Sequence, residues 1–115
     1  MNPSNAREGI RQGGQVLVKS ATATLTAKEI LNYGIIIADT ADGAVALTVP
    51  AAAAAFKGMT ILFGNKGAAD LTVVVAAGFG GGGGGDTTIT LSIGDGAMLF
   101  CDGSYWYNVN IATAT

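Results

Sequence analysis

The chain has 115 residues, enough for a single domain, and only 12% of them are charged, with a net charge of −2; average soluble domains have about 25%. The six Lys and Arg residues form no basic stripe, which argues against a nucleic-acid ligand, and the absence of histidine excludes Ser-His-Asp and Cys-His catalytic arrangements. Because so much of the surface is left uncharged, we expect neighbouring subunits to cover part of it.

The first fourteen residues form a polar segment without a periodic apolar pattern, in which Ile10 stands alone. This segment lacks the apolar core of a signal peptide, and no later apolar run is long enough to span a bilayer. The sequence therefore predicts a flexible N-terminal arm over residues 1–14, a single β domain over residues 15–115, and a product used without export by the signal-peptide route.

Strand patterns begin at Gln15, where apolar and polar residues start to alternate. Thr26 and Glu29 have the spacing of a capping box, which predicts a helix of about two turns over residues 26–32. The continuous apolar run over residues 34–38 predicts a strand covered on both faces, by a second layer or by a second subunit.

The middle of the chain continues the strand pattern after the turn at Asp42-Gly43, and Pro50 ends that strand. Residues 51–57, which begin with five alanines, predict a short helix or a tightly packed loop. Residues 59–63 and 71–75 are predicted to pair antiparallel across the Gly-rich turn between them.

The last third opens on the six glycines of residues 80–85, which we interpret as a mobile loop. Strands follow at 89–93, 97–101 and 105–111, joined by Gly-Asp-Gly and Asp-Gly turns. The eight or nine short strands predict an all-β fold, a small antiparallel β-sandwich, jelly-roll or barrel-like domain.

The residues that could take part in catalysis or in ligand binding have structural explanations. Cys101 lies in an apolar run and is predicted to be a small buried side chain. Asp42, Asp95 and Asp102 each precede glycine, as turn residues do, and the aspartates lack the spacing of a calcium loop. The glycine run leads into a strand, whereas a phosphate-binding loop opens a helix. The sequence predicts neither an enzyme nor a metal or cofactor site.

The cluster Tyr105-Trp106-Tyr107 is the most specific feature of the sequence. In a strand, Tyr105 and Tyr107 share one face and Trp106 lies on the other, and one of the two faces is core. Two interpretations of Trp106 stay open: the ring contacts a partner or a sugar, or it fills the edge of the domain.

The order of features from Thr24 to Asn110 resembles small β modules of tailed-bacteriophage virions. The features are Leu25-Thr26-Ala27, Ala46-Leu47-Thr48-Val49-Pro50-Ala51-Ala52, Gly58 before the Ile61 strand, Asn65 in a turn, Gly94-Asp95, and Asp102-Gly103-Ser104-Tyr105-Trp106-Tyr107. Such modules occur in capsid decoration (cement) proteins and in head or tail fibres. The resemblance implies a homotrimer on the capsid surface that binds the major capsid protein and clamps neighbouring capsomers, assembled in the host cytoplasm.

The sequence therefore predicts a structural virion protein, with Arg7, Glu8 and Arg11 of the arm and Tyr105 and Trp106 as partner contacts. The first alternative is a fibre or receptor-binding module that recognises host glycans. The second is a small glycosidase that uses paired carboxylates.

Overall fold

The computed structural model describes residues 15–81 and 87–109, and in these ranges the chain forms nine strands and one short α-helix. The strands are β1 (Val16–Lys19), β2 (Ala23–Thr24), β3 (Ile35–Ala38), β4 (Val45–Thr48), β5 (Thr60–Asn65), β6 (Leu71–Val74), β7 (Thr88–Leu91), β8 (Gly96–Cys101) and β9 (Trp106–Val109). Helix α1 spans Ala27–Asn32, and 3₁₀ turns span Ala54–Phe56 and Phe79–Gly81. The predicted arm over residues 1–14 lies outside the described residues.

The strands belong to two mixed sheets. The five-stranded sheet has the order β1-β3-β5-β8-β9, and the four-stranded sheet has the order β2-β4-β6-β7. In both sheets the early strands pair parallel, β1 with β3, β3 with β5, β2 with β4, and β4 with β6. The later pairs, β5 with β8, β6 with β7, and β8 with β9, are antiparallel.

The first six strands form three stacked coils, because the chain crosses from one sheet to the other after every strand. Strands β1, β3 and β5 build the five-stranded sheet while β2, β4 and β6 build the four-stranded one. Parallel neighbours need a long connection between them, and here that connection includes a strand of the opposite sheet. The last three strands then extend both sheets with antiparallel pairs.

The core lies between the two sheets and consists of aliphatic side chains with three aromatic ones, Phe56, Phe63 and Trp106. Strands β4, β5, β6 and β8 contribute alternate residues to it. The core residues that are at most 1% exposed include Leu25, Ile30, Ile36, Leu47, Ile61, Leu71, Leu99 and Trp106. At about 25 cal/mol per Å² of buried apolar surface, this interior is the main source of the fold's stability.

The predicted strand-rich fold is confirmed at the level of two β-sheets around one core. The sequence predicted a small antiparallel β-sandwich, jelly-roll or barrel-like domain, whereas both sheets are mixed and four of the seven strand pairs are parallel. Within residues 15–81 and 87–109 the sheets do not close into a barrel.

The predicted antiparallel pairing of residues 59–63 with 71–75 is wrong. Strand β5 pairs with β3 and β8, and β6 lies in the other sheet with β4 and β7. The turn between β5 and β6 is anchored in the interior by Asn65, which is 5% exposed, so the chain passes into the opposite sheet there instead of folding back as a hairpin.

The helix is confirmed with the capping box that the sequence predicted. The Thr26 side chain accepts a hydrogen bond of 3.1 Å from the Glu29 amide, and the Glu29 carboxylate accepts one of 2.9 Å from the Thr26 amide. Lys19 of β1 forms an ion pair of 2.7 Å with Glu29, which ties the helix to the first coil. These contacts lower the pKa of Glu29 below its ordinary value, chiefly through the hydrogen bond from Lys19.

Candidate protein–protein interface

The outward side of the five-stranded sheet is apolar from one edge to the other. The strand register aligns one row of residues across all five strands: Val16, Ile35, Leu62, Met98 and Val109. In a sheet with one wet face these positions would be polar, because successive side chains point to opposite sides of a strand. The row therefore continues the hydrophobic character of the sheet on the side away from the core.

Two further rows flank the first one and are equally free of charge. One row contains Val18, Ile37, Gly64 and Gly96, and the other contains Thr60, Phe100 and Tyr107. We call the twelve residues of the three rows the apolar face.

Four large side chains of the apolar face are exposed to solvent in the single chain. The exposed fractions are 44% for Val16, 54% for Val18, 41% for Leu62 and 39% for Phe100. Five strands spaced about 4.8 Å apart, each four to six residues long, give the face a footprint of roughly 300–400 Å². The largest apolar patch of a typical soluble monomer has about this size and is often functional.

The outward side of the four-stranded sheet has a different character. Its exposed or half-buried positions are rich in threonine, namely Thr24, Thr48, Thr72, Thr88 and Thr90, with Ala46 and Val74 between them. Threonine hydroxyls stay hydrated on an open sheet surface. The outward side of the four-stranded sheet can therefore remain in contact with water, whereas the apolar face consists mainly of side chains without such groups.

The charged residues of the described ranges lie in the helix and in the loops, with Lys19 as the one strand residue among them. Lys19 points away from the apolar face and pairs with Glu29 of the helix. Within the described residues, the outward surfaces of both sheets are therefore uncharged. The low charge content of the sequence corresponds to these two surfaces.

Three aromatic side chains meet at the corner where β8 turns into β9. The rings of Phe100 and Tyr107 stack at 5.3 Å between centroids with 13° between their planes. The Tyr107 hydroxyl donates a hydrogen bond of 2.8 Å to the Asp102 carboxylate, and Tyr105 beside them is 45% exposed. This aromatic corner, defined as Phe100, Tyr105 and Tyr107, shares Phe100 and Tyr107 with the apolar face and adds Tyr105 to it.

Asp102 organises the turn of the aromatic corner. One carboxylate oxygen accepts hydrogen bonds of 2.8 Å from the amides of Ser104 and Tyr105, and the other accepts the Tyr107 hydroxyl. The two amide hydrogen bonds are the main reason why the pKa of Asp102 is lowered. The same carboxylate raises the pKa of Tyr107, because it accepts a hydrogen bond from the protonated phenol.

Of the two interpretations left open for Trp106, the structure favours the structural one. Trp106 is 1% exposed, its ring lies 5.7 Å from that of Phe56, and its indole N–H donates a hydrogen bond of 2.8 Å to the Pro50 carbonyl. Tyr105 is exposed and available for contact. Arg7, Glu8 and Arg11 lie outside the described residues, and their role as partner contacts stays a prediction.

The described residues hold no group of three or more acidic or cysteine side chains that could bind a metal ion. Cys101 is buried and its thiol is free. Among the described elements, no helix has the length and hydropathy to cross a membrane.

The sequence contained a signal for the apolar face that alternation alone did not reveal. Residues 35–37 and 61–63 are uninterrupted apolar triplets, so both sides of β3 and β5 are apolar. The sequence predicted double cover for residues 34–38 only. The other positions of the face came together through the parallel stacking of coils, which the sequence did not predict.

No family model, curated protein or solved structure matches this chain.

Proposed function

We propose that this protein is a structural subunit of a tailed-phage virion, a decoration protein on the outer capsid surface that stabilises the contacts between capsomers. The observation that supports this proposal most is the apolar face, because a broad uncharged sheet surface is suited to packing against protein. The virion assignment itself comes from the sequence motifs between Thr24 and Asn110.

Such a protein works through buried area. A stable interface of standard size buries about 800 Å² on each partner. The footprint of the apolar face is about half of that area or less, and we propose that the N-terminal arm supplies part of the rest. On a symmetric shell each contact is repeated many times, so contacts of modest affinity add up to substantial stabilisation.

The proposal is tested on virus particles. Deletion of the gene should leave heads that lose a set of regularly placed densities in cryo-electron micrographs and that break at lower temperature. Supplying the full chain in trans should restore both properties, whereas a chain that lacks residues 1–14 should not bind. Heads with unchanged surface density and unchanged heat resistance after gene deletion would contradict the proposal.

A second candidate function is a fibre or receptor-binding module that recognises host glycans. The aromatic corner favours it, since exposed aromatic rings beside a carboxylate are suited to stacking on a sugar and accepting hydrogen bonds from its hydroxyls. Binding of the purified chain to a glycan array would support this function if Tyr105→Ala abolished it. If the purified chain bound no glycan on the array, the decoration function would remain the better supported of the two.

A further inference from the structure

We infer that Asp42 is a site of covalent self-modification, at which its carboxyl group and the amide nitrogen of Gly43 rearrange the backbone to isoaspartate. The chain contains three Asp-Gly pairs, which begin at Asp42, Asp95 and Asp102. Glycine after an aspartate favours this reaction, because no side chain hinders the approach of the glycine nitrogen to the carboxyl carbon. The structure distinguishes the three pairs, and the reaction is independent of the proposed function.

The reaction has two steps and needs no reactant other than water. The Gly43 nitrogen forms a bond to the side-chain carboxyl carbon of Asp42, the carboxyl hydroxyl leaves with the amide proton as water, and a five-membered succinimide ring results. Water then adds to one of the two ring carbonyls and opens the ring. Opening at the original backbone carbonyl leaves the chain connected through the side-chain carbon, so the backbone gains one methylene group.

The side chain of Asp42 is free to take part in this attack. Asp42 and Gly43 are both exposed, in the turn between β3 and β4. The side-chain hydrogen bond of this turn belongs to Asp39, which accepts the Ala41 amide at 3.1 Å, and the Asp42 carboxylate has no partner among the described residues. The Gly43 amide donates one hydrogen bond of 3.1 Å to the Thr40 carbonyl. A single backbone hydrogen bond therefore opposes the reaction.

Asp102 also precedes a glycine, but its carboxylate is held in place. One carboxylate oxygen accepts hydrogen bonds of 2.8 Å from the amides of Ser104 and Tyr105, and the other accepts one of 2.8 Å from the Tyr107 hydroxyl. These contacts must break before the carboxyl carbon can reach the Gly103 nitrogen. They also lower the pKa of Asp102, so less of the carboxyl group is in the neutral form that loses water.

Asp95 is intermediate between the two. It is half-buried, and its carboxylate accepts one hydrogen bond of 3.3 Å from the Ser92 amide. Gly96 is the first residue of β8 and pairs with Gly64 of β5. A Cβ atom at Gly96 would lie 3.1 Å from the Phe63 carbonyl oxygen, so the backbone is closely packed there. The start of β8 must open before the Gly96 nitrogen can attack.

The turn that contains Asp42 has room for a longer backbone. Nothing lies within 4 Å of the position that a Cβ atom would take at Gly43. The residues on either side of the turn, Thr40 and Val45, are buried and belong to the packed interior. We therefore expect the modified chain to stay folded, with the change confined to the connection between the two sheets.

The experiment incubates the full chain at neutral pH in water enriched in heavy oxygen. Opening of the succinimide places one heavy oxygen in the product, so the tryptic peptide of residues 29–57 should gain label first. Fragmentation by electron transfer then distinguishes isoaspartate from aspartate at Asp42. Label should accumulate at Asp42 at least about 10-fold faster than at Asp102, because several hydrogen bonds must break at Asp102.

Three controls show whether the structure causes this difference. In a chain unfolded with guanidinium chloride, the three Asp-Gly pairs should react at similar rates. Asp42→Glu should nearly abolish labelling of residues 29–57, since the larger ring that glutamate requires forms much more slowly. Tyr107→Phe removes one hydrogen bond from Asp102 and should accelerate labelling there. Circular dichroism checks that both variants are folded.

Equal labelling of the three pairs in the folded chain would overturn the inference, as would faster labelling at Asp102 than at Asp42. It would also fail if residues 29–57 stayed unlabelled over the time in which the unfolded chain is fully labelled.

Discussion

Replacing Asn65 with alanine should cost the fold about 3 kcal/mol. The Asn65 side chain is the centre of a buried polar network: its amide N–H groups donate to the carbonyls of Ala69 at 2.7 Å and Leu91 at 2.9 Å, and its oxygen accepts the Gly67 amide at 3.1 Å. Thr40 Oγ1 lies 2.9 Å from the same oxygen. Three to four hydrogen bonds at roughly 1 kcal/mol each give the expected loss.

The measurement is chemical and thermal denaturation at a fixed protein concentration, because association shifts the apparent stability. A loss of 3 kcal/mol corresponds to a fall in melting temperature of roughly 10–15 °C for a domain of this size. Asp95→Ala is the control, since Asp95 lies in an exposed turn and accepts one hydrogen bond of 3.3 Å from the Ser92 amide. A loss below about 1 kcal/mol for Asn65→Ala, or an equal loss for Asp95→Ala, would refute the reasoning.

Three further predictions concern single side chains. The pKa of Glu29 is lowered in the fold, so its pairing with Lys19 stabilises the protein above pH about 4.5, and this stabilisation is lost as the pH falls through the lowered value. In Glu29→Gln the free energy of unfolding should therefore depend less on pH in this range, and the difference from wild type should be less than about 1 kcal/mol. Asp102→Asn should move the ultraviolet titration of Tyr107 to lower pH, because the pKa of Tyr107 is raised by the carboxylate; an unchanged titration would contradict this assignment. Trp106→Phe should lower the free energy of unfolding by roughly 1–3 kcal/mol through the lost indole hydrogen bond, with oligomer mass unchanged.

Local features of this protein could be predicted from its sequence where one short segment determines them. Thr26 and Glu29 form the predicted capping box, and β4 ends just before Pro50 as expected. The Asp102-Gly103 turn joins antiparallel strands β8 and β9. In each case the interaction that fixes the structure spans only a few residues.

Pairing between distant segments could not be predicted in the same way. Strand β5 has a glycine-rich turn after it and an apolar strand next in sequence, which also describes a hairpin. Burial of Asn65 decides between the alternatives, and that burial depends in part on the carbonyl of Leu91, 26 residues further along the chain. The parallel coils then follow from the repeated crossing between sheets. This crossing does not change the alternation of apolar and polar residues within any single strand, so it cannot be predicted from that alternation.

Residues 42–50, 70–76 and 86–93 share a sequence pattern, an Asp followed by alternating Thr and aliphatic residues. This pattern illustrates how little the sequence of a strand reveals about its pairing partner. The strands in these three segments are β4, β6 and β7, which lie side by side in the four-stranded sheet. Their similarity reflects a shared environment, with aliphatic side chains toward the core and mostly threonine outward. The sequence resemblance among them alone does not distinguish neighbours in one sheet from unrelated strands of the same type.

The contrast between the two sheets links the composition of the chain to its proposed role. In the four-stranded sheet the outward positions are mostly threonine, so that sheet is adequately solvated in a single copy. In the five-stranded sheet valine, isoleucine, leucine and phenylalanine occupy the outward positions, although threonine would serve the strand geometry equally well. Since β propensity does not require those residues, we propose that they serve contacts with another protein molecule.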